Sequence, residues 1–407
     1  MNPPLALASI PESEYSDYRY QVIFNAYKWD PQVYDHNTVA RQVILMSLET
    51  AQELESLAEQ LAAETVQMEE ALIGRPELIK QLSFGQGINR ALRKLGGYRR
   101  EDHVRLMRFD FHPTETGWAV SEVNSDVPGG FAEASVLPGI AAPYFPGYTP
   151  RKNAVHSLYN AFKSRLPANG TVAFVHATSY ADDRQVMQCI GDYFSAQGLT
   201  TLMAAPDHIR WDAQKAVSIC SGAEGPVDGI VRFFPLEWLG FLPKKTSWRG
   251  YYNTQTPSCN HPMAMLAQSK RLPLVWDMLG VDIPAWKSLL PETADPRTLK
   301  TKRPDDNWIY KPALGRVGEG ITIREALTSK ELTKIYKAVK RRPKDWVAQK
   351  MFRSRPLADE SGKEYHLCVG VFTIDGKCAG FYGRISPHRR IDDKARDIPI
   401  LVKGEQA

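Results

Sequence analysis

The stretch VRLMRFDFHPTETGWAVSEVNS, residues 104–125, holds two apolar-rich runs on either side of Pro113-Thr114-Glu115-Thr116. Short runs of β-branched and aromatic residues around a turn-forming tetrapeptide predict a β-hairpin, with strands near residues 104–112 and 117–125. Side chains two apart on a strand share a face. Arg108 and Asp110 therefore project together, as do Glu122 and Asn124, and pairing the strands gathers all four into one patch. Two carboxylates and an amide oxygen are hard ligands of the kind magnesium takes when phosphates and water complete its octahedron. Arg108 beside them suits the same phosphates through its planar fork of donors. A solvated hairpin with cross-strand charge pairs fits the spacing as well.

Further along the chain, four segments bear on that choice. Tyr310-Lys311-Pro312-Ala313-Leu314-Gly315-Arg316-Val317-Gly318-Glu319-Gly320 ends a strand in a lysine and follows it with three glycines. A point cation and a loop able to bring backbone N–H groups close suit phosphate oxygens. It is not a Walker loop, because the lysine precedes the glycines and no Gly-Lys-Ser/Thr is present. Gln268-Ser269-Lys270 places a second lysine on a predicted helix; Trp346-Val347-Ala348-Gln349-Lys350 is an apolar strand whose amide suits an adenine edge. Gly383-Arg384 ends a late strand with a cation suited to charge developing on a transferred phosphoryl group. Each segment alone also reads as an ordinary turn, helix or strand.

Upstream, residues 39–73 carry apolar positions at helical spacing without proline or glycine, and residues 76–95 a second helical stretch. Residues 1–100 are thus expected to form a helical N-terminal region. After the hairpin, helix (153–165), strand (171–176), helix (184–197) and strands (200–204, 229–234) alternate as in a small parallel α/β unit. From residue 251 onward, a helix containing QSKRLPLVWDML and strands at NWIYKP, GITI, DWVAQK, YHLCVGVFTI and KCAGFYGRI suggest a separate α+β unit.

A chain of 407 residues exceeds one typical domain of about 150 residues. With 51 Lys and Arg against 46 Asp and Glu, the net charge of +5 suits an anionic ligand but does not call for a nucleic acid. Short basic runs such as Lys340-Arg341-Arg342-Pro343-Lys344 read as solvated surface. The five cysteines are dispersed with no Cys-x-x-Cys pair, which argues against a disulfide framework and a structural zinc site and for a reducing cytoplasm. No window approaches the ~18 apolar residues of a membrane span, and the first residues lack the pattern of a secretory leader.

Taken in order, Arg108-x-Asp110 with Glu122-x-Asn124, VDGIVRFFPLEWL around Glu237, Gln268-Ser269-Lys270, KPALGRVGEG from Lys311 and VFTIDGKCAGFYGRIS through Arg384 resemble the ATP-grasp synthetase domain of glutathionylspermidine synthase. The resemblance spans residues 27–402. It implies an α/β and α+β chain with an ATP-grasp fold, a helical N-terminal region (1–100), a metal-binding hairpin contributing to the core (101–145), a small Rossmann-like pre-ATP-grasp unit (146–250) and a nucleotide-binding region (251–407). It also implies ATP-dependent ligation: γ-phosphoryl transfer activates a carboxylate, and an amine then displaces phosphate to leave an amide. By the same resemblance Asp110, Glu122 and Asn124 hold Mg2+, two ions in all, and Arg108 and Arg384 meet the terminal phosphate and reacting centre. Lys270, Lys311, the backbone at Gly318 and Gln349 bind ATP. Glu237 suits either a polyamine or other cationic amine, or a structural hydrogen bond. The expected partners are a small or short-peptide acid and an amine, not a nucleic acid or a membrane. The amidase domain of the bifunctional relatives, with its cysteine nucleophile, has no counterpart, so hydrolysis is not expected. Residues 125–130, SDVPGG, depart from glutathione-using members and leave the acid open. The competing reading is a nucleotide-binding scaffold of the same fold without turnover.

Overall fold

A computed structural model describes residues 4–404 except 30, 34, 96–97, 244–245, 300–306, 316–319 and 324–325. The hairpin forms from strands Leu106–Thr114 and Gly117–Asn124, paired antiparallel. Met107, Phe109 and Phe111 point into the main apolar core, while Arg108, Asp110 and His112 on the other face are buried around a cavity. Both faces are covered, so the first strand is buried almost throughout and shows no polar–apolar alternation of exposure.

The partner of this hairpin lies 258 to 268 residues further along the chain. Strand Glu364–Ile374 pairs antiparallel with Leu106–Thr114, and Lys377–Ser386 and Arg396–Ile398 extend the same sheet. Residues 251–407 are therefore not one separate unit: their longest strands complete the hairpin's sheet. The register sets Gly370 opposite Asp110. A Cβ at Gly370 would stand 2.8 Å from Arg108 Cδ, so glycine is what lets the arginine lie across the neighbouring strand.

The N-terminal region is less helical than its periodicity suggested. Helix Leu48–Ile73 begins at the Ser47 cap, whose side chain accepts from the Thr50 N–H, and buries Ala51, Leu54, Ala58, Leu61, Thr65, Met68 and Leu72. Its predecessor Gln42–Met46 is a strand, parallel to Ile400–Lys403 and antiparallel to Leu5–Ser9. The β-branched Val43 and Ile44, both fully buried, favour the extended backbone there. The second helical stretch breaks into Pro76–Ile79, a 3-10 turn and Gln86–Leu92, with Ser83 left-handed at φ 70° between them.

The strands expected at 171–176, 200–204 and 229–234 form, and a strand beyond residue 250 joins them. Strands Ser258–Cys259, Gly229–Phe233, Thr171–His176 and Thr200–Ala204 make a parallel sheet in that order, with helices Ala154–Lys163 and Ala181–Ala196. In the last third, Thr293–Ala294, Trp346–Lys350 and Trp308–Pro312 form a small antiparallel sheet near helix Ser329–Arg341, whose capping box joins Thr328 and Glu331. Two expectations fail here. The helix before Lys270 is only Ala264–Gln268, so the lysine sits on a turn, and residues 320–323 form no strand. All five cysteines are free thiols, and among the described residues no helix is long and apolar enough to cross a membrane.

Candidate functional site

The hairpin register sets Arg108 opposite Asn124 and Asp110 opposite Glu122. Arg108 grips Asp110 through two bonds, Nε to Oδ1 at 2.7 Å and Nη2 to Oδ2 at 2.9 Å. Asn124 Nδ2 donates to Asp110 Oδ2 at 3.0 Å, and Arg108 Nη1 donates to the Gly129 carbonyl at 2.7 Å. From the last third of the chain, Lys270 Nζ pairs with Glu122 Oε2 at 2.8 Å and donates to Gly315 O at 2.6 Å. Lys311 Nζ donates to Ser121 O at 3.2 Å. Arg108, Asp110, Glu122, Asn124, Lys311 and Arg384 all line one cavity of about 630 Å3. A small hollow adjoins it, sharing Glu122 and Lys311, and runs past Lys270 to Gln349 between Met68, Trp276 and Trp286. The Trp286 wall is fixed from behind: Glu64 accepts the Ala285 and Trp286 N–H groups at 2.9 Å each.

At the hairpin end of the cavity Arg108, Lys270, Lys311 and Arg384 gather around Asp110 and Glu122, while Glu133, Asp182, Asp183, Asp393 and Asp397 line the rest of it with Lys28, Arg389 and Arg390. Burial alone would raise the Glu122 pKa, but Lys270, Lys311 and Arg108 outweigh it and hold the carboxyl at about 2. Burial, helped by Lys270, pushes Lys311 down to about 8 against the pull of Glu122 and Asp110. Among the described residues lining these hollows, Thr38 Oγ1, Glu133 Oε2, Gln349 Oε1 and Arg384 Nε are buried and make no hydrogen bond. An acceptor such as Gln349 Oε1 in an apolar slot and a donor such as Arg384 Nε are what a nucleobase amine and a phosphate would satisfy.

The lowered lysine gives a pH test. A phosphate at Lys311, as the sequence reading expects, would favour the charged amine, which predominates only below about 8. Nucleotide affinity, measured by calorimetry from about pH 7 to about pH 10, should stay level below about 8 and then fall toward tenfold per unit. A level profile across that range would contradict the role given to this lysine.

Among the described residues no group of three or more His, Cys, Asp and Glu could hold a metal ion. The oxygen donors here are Asp110, Glu122 and the amide of Asn124, all on the cavity face of the hairpin. That set fits magnesium, which needs few protein carboxylates when phosphates supply further oxygens. Arg108 donates to both Asp110 oxygens and Asn124 to one, and Glu122 pairs with Lys270, so Arg108 and Lys270 offset the charge of the two carboxylates.

Of the other sequence candidates, Gln349 is the last but one residue of strand Trp346–Lys350 and donates from Nε2 to Thr293 Oγ1 at 3.0 Å. Arg384 lies opposite Cys368 in the sheet, and its Nη2 donates to the Asp392 carbonyl. Glu237 is half-buried on the 3-10 turn Leu236–Phe241; its neighbours Pro235 and Trp238 line the cavity, whereas Glu237 does not. Gly318 lies outside the described residues. Sequence reasoning missed Lys28, Glu133 and Tyr382, which line the same cavity, and the His112–Ser121 pair, bonded at 3.0 Å. Lys28 carries no local motif. His112 continues the face of Arg108 and Asp110, whereas Ser121 is one residue out of step with Glu122 and Asn124 and reaches the cavity at the irregularity between Asp110 and Phe111.

The model of the family described as glutathionylspermidine synthase preATP-grasp matches residues 11–403. No curated protein matches the chain. Among solved structures, one described as a candidate gamma-glutamylcysteine synthetase from Methylobacillus flagellatus KT is 12% identical, over 83% of this chain and 87% of that one, with a TM-score of 0.45.

Proposed function

Because the chain belongs to the glutathionylspermidine synthase preATP-grasp family, we propose that it is an ATP-dependent ligase that joins a carboxylate to an amine through an acyl phosphate. The observation that supports this reading best is the meeting of Lys270 and Lys311 with Glu122 and the Arg108–Asp110 pair, beside an apolar slot ending at Gln349. In this reading the slot, about 30 Å3 as it stands, widens to take adenine against the Gln349 amide, and the phosphates draw Lys270 and Lys311 toward themselves. Glu122, freed from Lys270, would hold Mg2+ together with Asp110 and Asn124, and the ion would offset phosphate charge and orient the terminal phosphoryl group. Arg108 and Arg384 stabilise the charge that builds on that group.

The chemistry then needs no protein nucleophile. A carboxylate oxygen of the acid attacks the γ-phosphorus and the bond to ADP breaks. The amine attacks the resulting acyl carbon, inorganic phosphate leaves, and the amine nitrogen gives up a proton. The protein's part is to orient the reactants and to keep water from a hydrolysable intermediate.

Incubation of the protein with Mg2+, ATP and pools of amines with short peptides and other acids is expected to release ADP and phosphate in step with a condensation product, read by mass spectrometry. Release of AMP and pyrophosphate would overturn the acyl-phosphate route. Nucleotide binding without turnover across wide pools would favour a scaffold protein.

A further inference from the structure

Tyr382 belongs to strand Lys377–Ser386 and lies in the cavity wall beside Arg108. The Arg108 guanidinium stands over its ring, with Cζ 4.9 Å from the centroid. The hydroxyl donates to Asp397 Oδ1 at 2.7 Å. Burial and the nearby Asp397 push this phenol well above its usual range, so it remains a donor. Asp397 Oδ2 is held in turn by Lys28 Nζ at 2.7 Å, and Lys28 also pairs with Glu133 at 2.6 Å. The ring is further confined by Gly130. At φ +89° its backbone passes so close that a Cβ would stand 2.9 Å from two ring carbons.

These contacts fix a plane. Arg108 spends its Nε–H and one N–H of each Nη on Asp110 and Gly129, which leaves two N–H groups of its fork. Where those two point depends on the orientation of the guanidinium, and a cation over a tethered aromatic face is held more firmly than one over a free face. We propose that Tyr382 is a positioning residue for Arg108: tethered through Asp397 to Lys28, its ring aims the remaining guanidinium donors at the terminal phosphate of the bound nucleotide. The N-terminal region thereby reaches the site, since Lys28 comes from the turn that follows helix Glu12–Asn25. The inference rests on the nucleotide reading above and adds to it a residue that touches the arginine, not the nucleotide.

The test compares two nucleotides that differ by the terminal phosphate. Calorimetric titration with Mg2+ and either AMP-PNP or ADP should show that Tyr382→Leu weakens AMP-PNP by about 10-fold and leaves ADP within about 2-fold. Tyr382→Phe keeps the ring and loses the tether, so it should lose only about 3-fold for AMP-PNP and nothing for ADP. Equal losses for both nucleotides in either variant, or no loss in Tyr382→Leu, would overturn the proposal, because a merely structural tyrosine has no reason to discriminate between them. Wild-type protein that binds neither nucleotide would overturn the nucleotide reading itself, which separates the two failures.

Discussion

Replacement of Glu122 by alanine is expected to lower turnover at least about 10^3-fold while shifting the melting temperature by no more than a few degrees. The carboxylate sits where charges of both signs meet: Lys270 is bonded to it, Lys311 lies near, and Asp110 is directly across the hairpin. Removing it takes one of two carboxylates from the proposed metal site and leaves the two lysines without their shared anion. Stability should suffer little, because both lysines keep backbone acceptors at Gly315 and Ser121 and both adjoin open space. The signature is therefore dissociation of the two readouts. Glu122→Gln should be nearly as inactive, since shape is kept and charge lost. An alanine variant with near-normal turnover would remove Glu122 from the metal site and with it the reason for its pairing to Asp110.

The second large effect is on stability. Glu69→Ala is expected to cost about 3–5 kcal/mol, lowering the melting temperature by about 5 °C. Glu69 and Arg105 are both almost fully buried and share two bonds, Nη2 to Oε1 at 2.6 Å and Nε to Oε2 at 3.1 Å. Burial raises the Glu69 pKa even with Arg105 beside it, so desolvation outweighs the attraction and the pair is not itself a large source of stability. The alanine variant is nevertheless costly, because the guanidinium cannot leave. Its other donors hold Leu106 O at 2.8 Å and Ser125 O at 2.9 Å, tying the start of the hairpin to the residue just beyond its end. Asn260 ties the same ends, accepting from Leu106 N at 2.7 Å and donating to Leu106 O, Ser125 O and Asp126 O. An unpaired buried arginine at this junction loosens the base from which Arg108 and Asn124 project. Thermal melts of the variant that match wild type would show that Arg105 finds another partner or water, against the rigidity claimed for this base.

The hairpin and its four polar residues were legible in the sequence for a physical reason. Strand period and turn chemistry are local, and residues two apart must share a face wherever the strand ends up. The same holds for Lys311 and Gln349, which lie on adjacent strands of one small sheet, in register at Ile309 and Gln349. Local pattern failed where identity depended on a distant partner. VARQVILM at residues 39–46 keeps a helical period, yet its strand forms because Leu5–Ser9 and Ile400–Lys403 flank it. Lys270 was given to a helix that stops two residues earlier, and its backbone N–H instead bonds Ala313 O at 2.9 Å, drawing the turn against the lysine strand. The pairing of Glu364–Ile374 with the hairpin, and the reach of Lys28 to Asp397, span most of the chain and leave no trace in either segment alone.

The central claim is that one cluster, built from the hairpin and from Lys270 and Lys311, receives a metal–triphosphate. A crystal structure with Mn2+ and AMP-PNP tests it most directly, because manganese marks its own position by anomalous scattering. An anomalous peak bounded by Asp110, Glu122 and Asn124 is expected, with phosphates between Lys270 and Lys311 and adenine against Gln349. Nucleotide density elsewhere on the molecule, with Lys270 still bonded to Glu122 and no metal peak at the hairpin, would contradict it.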